Sequence, residues 1–214
     1  MNTKRNIKIE PFEKYYERYD AWFEEREFAY KSELAAVREM LPPSGLGLEI
    51  GVGSGRFAAP LGIKYGMEPA SAMLEMAVRR GVSCVRGVAE KLPFRDSAFD
   101  YAAMITVICF LENIPAAFAE AYRVLRPGGA LIVGFIDRTT PAGEKYEKNK
   151  HDSDFYWPAD FYSPEEVKSF MTKSGFTNIN FVQTISGRTK NMKDQHPVYP
   201  GCGEGLFVVA KGIK

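Results

Sequence analysis

The stretch Leu48-Glu49-Ile50-Gly51-Val52-Gly53-Ser54-Gly55 sets three glycines at alternate positions directly behind a short apolar run. Glycine reaches φ > 0 without strain and lets another group approach the main chain closely. Three of them after a strand give a tight turn with exposed N–H groups. Where such a turn opens into a helix, it can hold part of a nucleotide-like ligand. A glycine-rich turn with no ligand is the competing reading. The dinucleotide fingerprint G-x-G-x-x-G wants glycine where this chain has Arg56, which counts against a nicotinamide or flavin cofactor. Glu68 follows about 19 residues after Glu49 and closes a second apolar run. An acid there can accept hydrogen bonds from the two ribose hydroxyls of a nucleoside.

Those residues are useful only if strands and helices alternate around them, and the pattern says that they do. Strands are expected at 46–50, 63–68, 83–88, 99–106 and 130–136, with helices at 56–61, 69–80 and 115–125 between them. Gly81 and the segment Arg126-Pro127-Gly128-Gly129 act as stops. Alternation of this kind gives a parallel, doubly wound α/β sheet with right-handed crossovers. After Asp137 a long polar stretch runs to Tyr162 and reads as a functional or mobile loop. Ser163-Pro164-Glu165-Glu166 has the residues of a helix start: a cap, proline at the first helical position, and acids near the positive end of the dipole. That helix ends at Gly175, and strands at 178–185 and 205–210 complete the chain.

Ahead of the first strand, residues 11–40 read as one helix with Phe12, Tyr15, Tyr16, Tyr19, Trp22 and Phe23 at three- and four-residue steps. Apolar periodicity usually means burial against a sheet. The alternative is a lid over an active site. Both readings stand on the sequence, which divides into a helical cap segment (residues 1–45) and a ligand-binding α/β part (46–214) of one domain.

Composition sets outer bounds. The 214 residues carry a net charge of +1, with 45% hydrophobic and 26% charged residues, as in an ordinary globular domain. No general basic field for nucleic acid exists, and no nucleic-acid partner is expected. No apolar run is as long as a membrane span, and the first residues lack the apolar core of a signal peptide, so a cytoplasmic protein is expected. Cys84, Cys109 and Cys202 are widely spaced, and His151 and His196 are the only histidines, so no metal site is expected. Oligomeric state is not readable.

Taken together, the segments resemble the class I S-adenosylmethionine-dependent methyltransferases. The resemblance runs from Leu46 to the C-terminus. It rests on the glycine stretch, on Gly66-Met67-Glu68-Pro69-Ala70 with Met73-Leu74, on Gly87-Val88-Ala89-Glu90-Lys91-Leu92-Pro93-Phe94, on Phe99-Asp100-Tyr101, on Arg123-Val124-Leu125-Arg126-Pro127-Gly128-Gly129, and on Phe161-Tyr162-Ser163-Pro164-Glu165-Glu166 with Ser174-Gly175-Phe176. It implies a Rossmann-like, doubly wound, mostly parallel sheet of seven strands, the last inserted antiparallel beside the fifth, under an N-terminal helical cap. It also implies S-adenosylmethionine as cofactor. Gly51, Gly53 and Gly55 would let the loop approach its methionine part, and Glu49 would hold the ammonium, directly or through water. Glu68 would bind ribose, with Pro69 and Met73 in the same segment. Ala89 would meet the adenine edge through its backbone, and Thr106 and Val107 would line the methionine side. Many members carry aspartate where Val88 stands, so either Glu90 replaces that acceptor or packing and backbone hold the adenine.

A sulfonium methyl is already activated, so the protein has to align a nucleophile and exclude water. No spacing identifies a catalytic base. Tyr15, Tyr19, His151 and Asp152 are candidates by location only. The leading reading is methyl transfer to a small-molecule acceptor such as an amine or a phenol. Methylation of RNA or protein, and a non-catalytic cofactor-binding protein on the same fold, are the alternatives.

Overall fold

The computed structural model describes residues 3–187 and 189–214. Three helices precede the sheet: α1 (Thr3–Lys14), α2 (Tyr16–Glu25) and α3 (Glu27–Met40). The single helix expected over 11–40 is thus broken twice, at Tyr15 and at Arg26, where ψ turns positive. Neither residue is a helix breaker by type. The breaks belong to tertiary packing, which lets α1, α2 and α3 follow different surfaces. Alternation then begins: β1 (Gly47–Ile50), α4 (Ala58–Leu61), β2 (Tyr65–Glu68), α5 (Ser71–Arg79), β3 (Ser83–Arg86), β4 (Phe99–Ile105), α6 (Ile114–Val124) and β5 (Leu125–Ile136).

The chain closes with α7 (Pro141–Asn149), α8 (Pro164–Lys173), β6 (Thr177–Thr184), β7 (Tyr199–Pro200) and β8 (Phe207–Ile213). Two expectations change here. The stretch after Asp137 holds a helix, α7, started by Thr140, whose hydroxyl accepts the Gly143 N–H at 3.1 Å, with Pro141 in the first turn. Arg126–Gly129 does not simply end α6. It lies within β5, where the register shifts between the Phe99↔Leu125 and Tyr101↔Ala130 pairs. The Ser163 cap is as read, with a full capping box to Glu166.

All strands among the described residues join one sheet in the order β3-β2-β1-β4-β5-β8-β6-β7. β1 to β5 are mutually parallel, and β8 enters antiparallel between β5 and β6. The sheet has eight strands where seven were expected. The additional one is the two-residue β7, which pairs with the far side of β6. Both faces are covered, as a parallel sheet requires. Along β4, Ala102 and Met104 face a core completed by Phe118, Val167, Met171 and Phe176, whereas Tyr101, Ala103 and Ile105 face a core holding Val37, Phe57 and Ala77. α3 belongs to that second core: Ala29, Ala36 and Val37 are fully buried. No helix among the described residues is long and apolar enough to cross a membrane. No cluster of three His, Cys, Asp or Glu side chains suited to a metal occurs among them.

Candidate active site

In the chain's path from β1 outward to β3 and back to β4, the order reverses between β1 and β4. The crevice outside the carboxyl ends of such strands is where doubly wound sheets bind ligands. A cleft open to solvent lies there, the kind of concave site where small molecules bind. Gly51, Gly53, Glu68, Pro69, Met73, Val88, Ala89, Glu90, Thr106 and Val107 all line it. Glu49 and Gly55 do not.

The glycine loop is tied to β2. The N–H groups of Gly51 and Val52 both donate to the Met67 carbonyl, at 2.7 and 3.0 Å. Gly51 sits at φ 74°, and a Cβ there would run into the Val107 side chain, so the position admits only glycine. Gly55 is also left-handed, and its missing Cβ lets α5 close in, with the Ala77 Cα 3.0 Å from where that atom would stand. Its contribution is to helix packing.

Glu68 ends β2 inside the cleft. Its Oε2 accepts the Gly53 N–H and its Oε1 the Ala70 N–H, each at 3.0 Å. Burial pushes this carboxyl up to about 7, although both N–H groups pull it down. The lone pairs that remain point the acid toward further donors. Behind the loop, Glu49 is 1% exposed and its Oε2 has no hydrogen-bond partner. Burial holds its carboxyl well above the usual range, with the Ala58 N–H opposing and the Glu68 charge adding. A buried, unpartnered acceptor beside a glycine cradle fits a ligand bearing a cationic group.

At the adenine end implied by the resemblance, β3 stops at Arg86, so Val88 lies just past the strand. Val88 still lines the cleft, as Leu111 does. Glu90 Oε1 accepts the Glu112 and Asn113 N–H groups at 3.0 and 3.4 Å, which engages that oxygen in the loop after β4.

Thr106 follows β4 at φ 56°, a left-handed conformation uncommon for a β-branched residue. Its N–H donates to Gly134 and its hydroxyl to the Ile105 carbonyl, at 2.8 and 2.7 Å, which holds the turn. Strain of this kind gathers at ligand sites. Thr106 lines not only the cleft but also a second cavity on its other side. Tyr19 lines both as well. Burial raises the Tyr19 phenol well above its ordinary value, with a hydrogen bond to the Thr106 side chain pulling the other way.

The cap supplies the remaining walls. Lys8, Ile9 and Phe12 of α1 line the cleft. Lys8 Nζ donates to the Leu111 carbonyl at 3.2 Å and pairs with Asp160 at 3.0 Å. Phe12 packs edge-on against Tyr19 and Phe110, with ring centres 5.1 and 5.0 Å apart. The two sequence readings of the aromatic stripe therefore divide along the chain: α3 is core, whereas α1 and the Tyr19 face of α2 cover the cleft. Of the four residues singled out as bases by location, only Tyr19 reaches either cavity. His151 and Asp152 are exposed in a 3₁₀ turn after α7, and Tyr15 packs on Phe155.

Comparison with known proteins agrees with this geometry. A methyltransferase-domain family model matches residues 48–133. A crystal structure from Thermotoga maritima, of a protein described as a SAM-dependent methyltransferase, possible histamine N-methyltransferase, is 48% identical, covers 96% of this chain and 99% of its own, and superposes with a TM-score of 0.94. This chain belongs to the S-adenosylmethionine-dependent methyltransferases. An uncharacterized protein of Methanocaldococcus jannaschii is 43% identical over 95% of this chain and 98% of its own length. A mitochondrial 2-methoxy-6-polyprenyl-1,4-benzoquinol methylase of Xenopus laevis is 30% identical, over 58% of this chain and 46% of its own.

As a methyltransferase of this family the chain is an enzyme that uses S-adenosylmethionine. Sequence reasoning missed several residues that line the two cavities of this candidate site. Lys8 and Ile9 come from a helix far from the motifs, and Phe110 and Leu111 from the turn after β4, whereas Phe12 was already in the aromatic stripe read as a lid. Glu33, buried in the second cavity, was also missed.

Proposed function

We propose that this methyltransferase acts on a small molecule held in the second cavity, with the cofactor in the first. The observation that carries the reading is the junction: Tyr19 and Thr106 line both spaces, so a group leaving one arrives in the other. When bound, the cofactor supplies a methyl group already activated on a positively charged sulfur. Glu68 accepts hydrogen bonds from ribose, and Gly51 and Gly53 let the methionine part lie against bare backbone. Glu49, from behind the loop, offers its unpartnered oxygen to the ammonium, and Pro69 and Met73 pack at the ribose end. Val88 and the Ala89 backbone hold adenine by packing and main-chain contact, with Glu90 spending one oxygen on the loop after β4.

The residues of this chain contribute positioning and dryness. α1 and Tyr19 roof the cleft and exclude water, and Thr106 and Val107 fix the floor beside the sulfur. The Tyr19 hydroxyl keeps its proton and acts as a hydrogen-bonding guide at the junction. The Thermotoga relative, whose description names the small molecule histamine, supports a small acceptor. Within residues 1–45, α1 and the Tyr19 face of α2 act as the cap, and α3 belongs to the core of the same domain. Incubation with S-adenosylmethionine and a panel of small amines, phenols, thiols and carboxylates tests the reading. S-adenosylhomocysteine should form with at least one of them, together with a product heavier by one methyl group. Turnover confined to RNA or protein substrates would refute it.

A further inference from the structure

The second cavity is walled by rings. Tyr19, Trp22, Phe23, Tyr146, Phe155 and Tyr156 face it, and several touch one another edge-on, Tyr19 with Phe155 at 5.4 Å and Tyr146 with Tyr156 at 5.8 Å between centres. Into this apolar chamber projects one buried acid, Glu33 of α3, which is 7% exposed. Its carboxyl has no hydrogen-bond or ion-pair partner among the described residues. Isolated buried carboxylates are costly and are ordinarily paired. An acid left without a partner in a ligand-sized, ring-lined chamber points to a partner that arrives with the ligand.

We infer that the second cavity binds a small organic ammonium with a flat apolar body, its cationic nitrogen against the Glu33 carboxylate and its body among the rings. The inference rests on the small-molecule reading above and narrows its substrate class. Three observations favour a cation over a neutral or acidic ligand. The ionisable groups lining the cavity, besides the phenols, are two acids, Glu25 and Glu33, and one base, Arg18. Arg18 is already matched outside by Asp154 at 2.5 Å and lies over the Tyr15 and Phe155 rings. Ring faces attract cations, and this wall already holds one. The groups whose charge is felt with Glu33 are the Tyr19, Tyr146 and Tyr156 hydroxyls, and Arg26 near Tyr146. These hydroxyls can complete the shell of a bound ammonium. Burial pushes the Glu33 carboxyl up to about 8, so a cation beside it would favour ionisation and release a proton to the medium. Glu33 is a specificity-determining residue in this account, and no transfer step is assigned to it.

Calorimetry with three probes of one shape decides the matter: 2-phenylethylamine, 2-phenylethanol and phenylacetate, each titrated into the full chain with and without S-adenosylhomocysteine. The amine should bind at least tenfold more tightly than the alcohol, the scale of one charge-assisted hydrogen bond, and the carboxylate should bind worst. Glu33→Gln should reduce the amine to the level of the alcohol, while leaving S-adenosylhomocysteine affinity unchanged. The wild-type ranking stands without the variant, should the variant fold poorly. Equal or tighter binding of the alcohol or the carboxylate overturns the ammonium while leaving a small-molecule acceptor in place. Failure of all three probes to bind overturns the assignment of a flat apolar ammonium to this cavity, while the wider panel of acceptors still decides the small-molecule reading. Undiminished preference for the amine in a folded Glu33→Gln protein overturns the role of Glu33.

Discussion

Asp20 of α2 and Arg56 of the glycine loop form a doubled ion pair, Nε to Oδ1 at 2.9 Å and Nη2 to Oδ2 at 2.5 Å. The same carboxylate accepts the Ser54 hydroxyl at 2.6 Å and the Arg80 guanidinium at 2.7 Å. Arg56 is the residue that stands where a dinucleotide loop wants glycine. Here that position latches the cap onto the cofactor loop and, through Arg80, onto the end of α5. Asp20→Asn should destabilise the protein by about 3 kcal/mol, because it strips one partner from a largely buried network. It should also weaken cofactor binding by freeing the loop. Denaturant unfolding and a cofactor titration check the two effects. Burial pushes the Asp20 carboxyl up, but the hydrogen bonds from Arg56, Ser54 and Arg80 outweigh it and hold the group at about 2. Its contribution to stability is therefore complete above about pH 4 and is lost as pH falls toward 2. Asp20→Asn should flatten that part of the profile.

Glu68→Ala should lower affinity for S-adenosylhomocysteine roughly ten- to a hundred-fold, the equivalent of about 1.5–3 kcal/mol for hydrogen bonds to a charged acceptor. The variant also frees the Gly53 and Ala70 N–H groups. Circular dichroism should show an intact fold. Unchanged affinity in a folded variant would remove Glu68 from the ribose contact.

Glu33 gives a pH signature of opposite sense. Its carboxyl is held protonated in the ligand-free fold up to about pH 8, above the ordinary 4.5. The folded state then binds more protons than the unfolded chain between those values, so stability is greatest below about 4.5 and falls as pH rises toward 8. In Glu33→Gln this part of the fall should disappear. Melting temperatures measured from pH 5 to 8 for both proteins check it. Parallel curves would contradict the burial of an unpaired Glu33.

Much of the candidate cleft's lining was legible because its signals are local. A glycine turn, an acid closing the next strand and a capping box each act within a few residues, and Gly51, Gly53, Glu68 and Ser163 were all read from them. What failed depends on distant packing. Glu33 lies beside Leu34 in an apolar stripe, and nothing in its neighbours shows that its own side chain turns inward. The helix breaks at Tyr15 and Arg26 follow tertiary contacts of residues that are good helix formers or neutral. α7 was within reach: Thr140 as cap, Pro141 at the first helical position and Glu144 in the first turn make a helix start, but the polar composition around it reads as loop. The two-residue β7 is too short for any periodicity.

Deleting α1 by starting the chain at Tyr16 should leave a folded protein that binds S-adenosylhomocysteine with modest loss and has little turnover. The ion pair that ties α1 to the loop before α8, Lys8 with Asp160, has an exposed partner, and such pairs contribute about 1 kcal/mol or less. A start near Pro43 is different, since it also removes the buried Ala29, Ala36 and Val37 of α3. That loss should exceed several kcal/mol and leave an aggregating chain. Normal turnover without α1 would show that it does not gate the cleft.

The account as a whole places the reacting sulfur where the two cavities meet. A crystal structure with S-adenosylhomocysteine bound measures this directly. Its ribose should lie within hydrogen-bond reach of Glu68, its adenine against Val88 and Ala89, and its sulfur beside Tyr19 and Thr106, facing the ring-lined chamber that holds Glu33. A sulfur turned away from that chamber, or a ribose out of reach of Glu68, would contradict it.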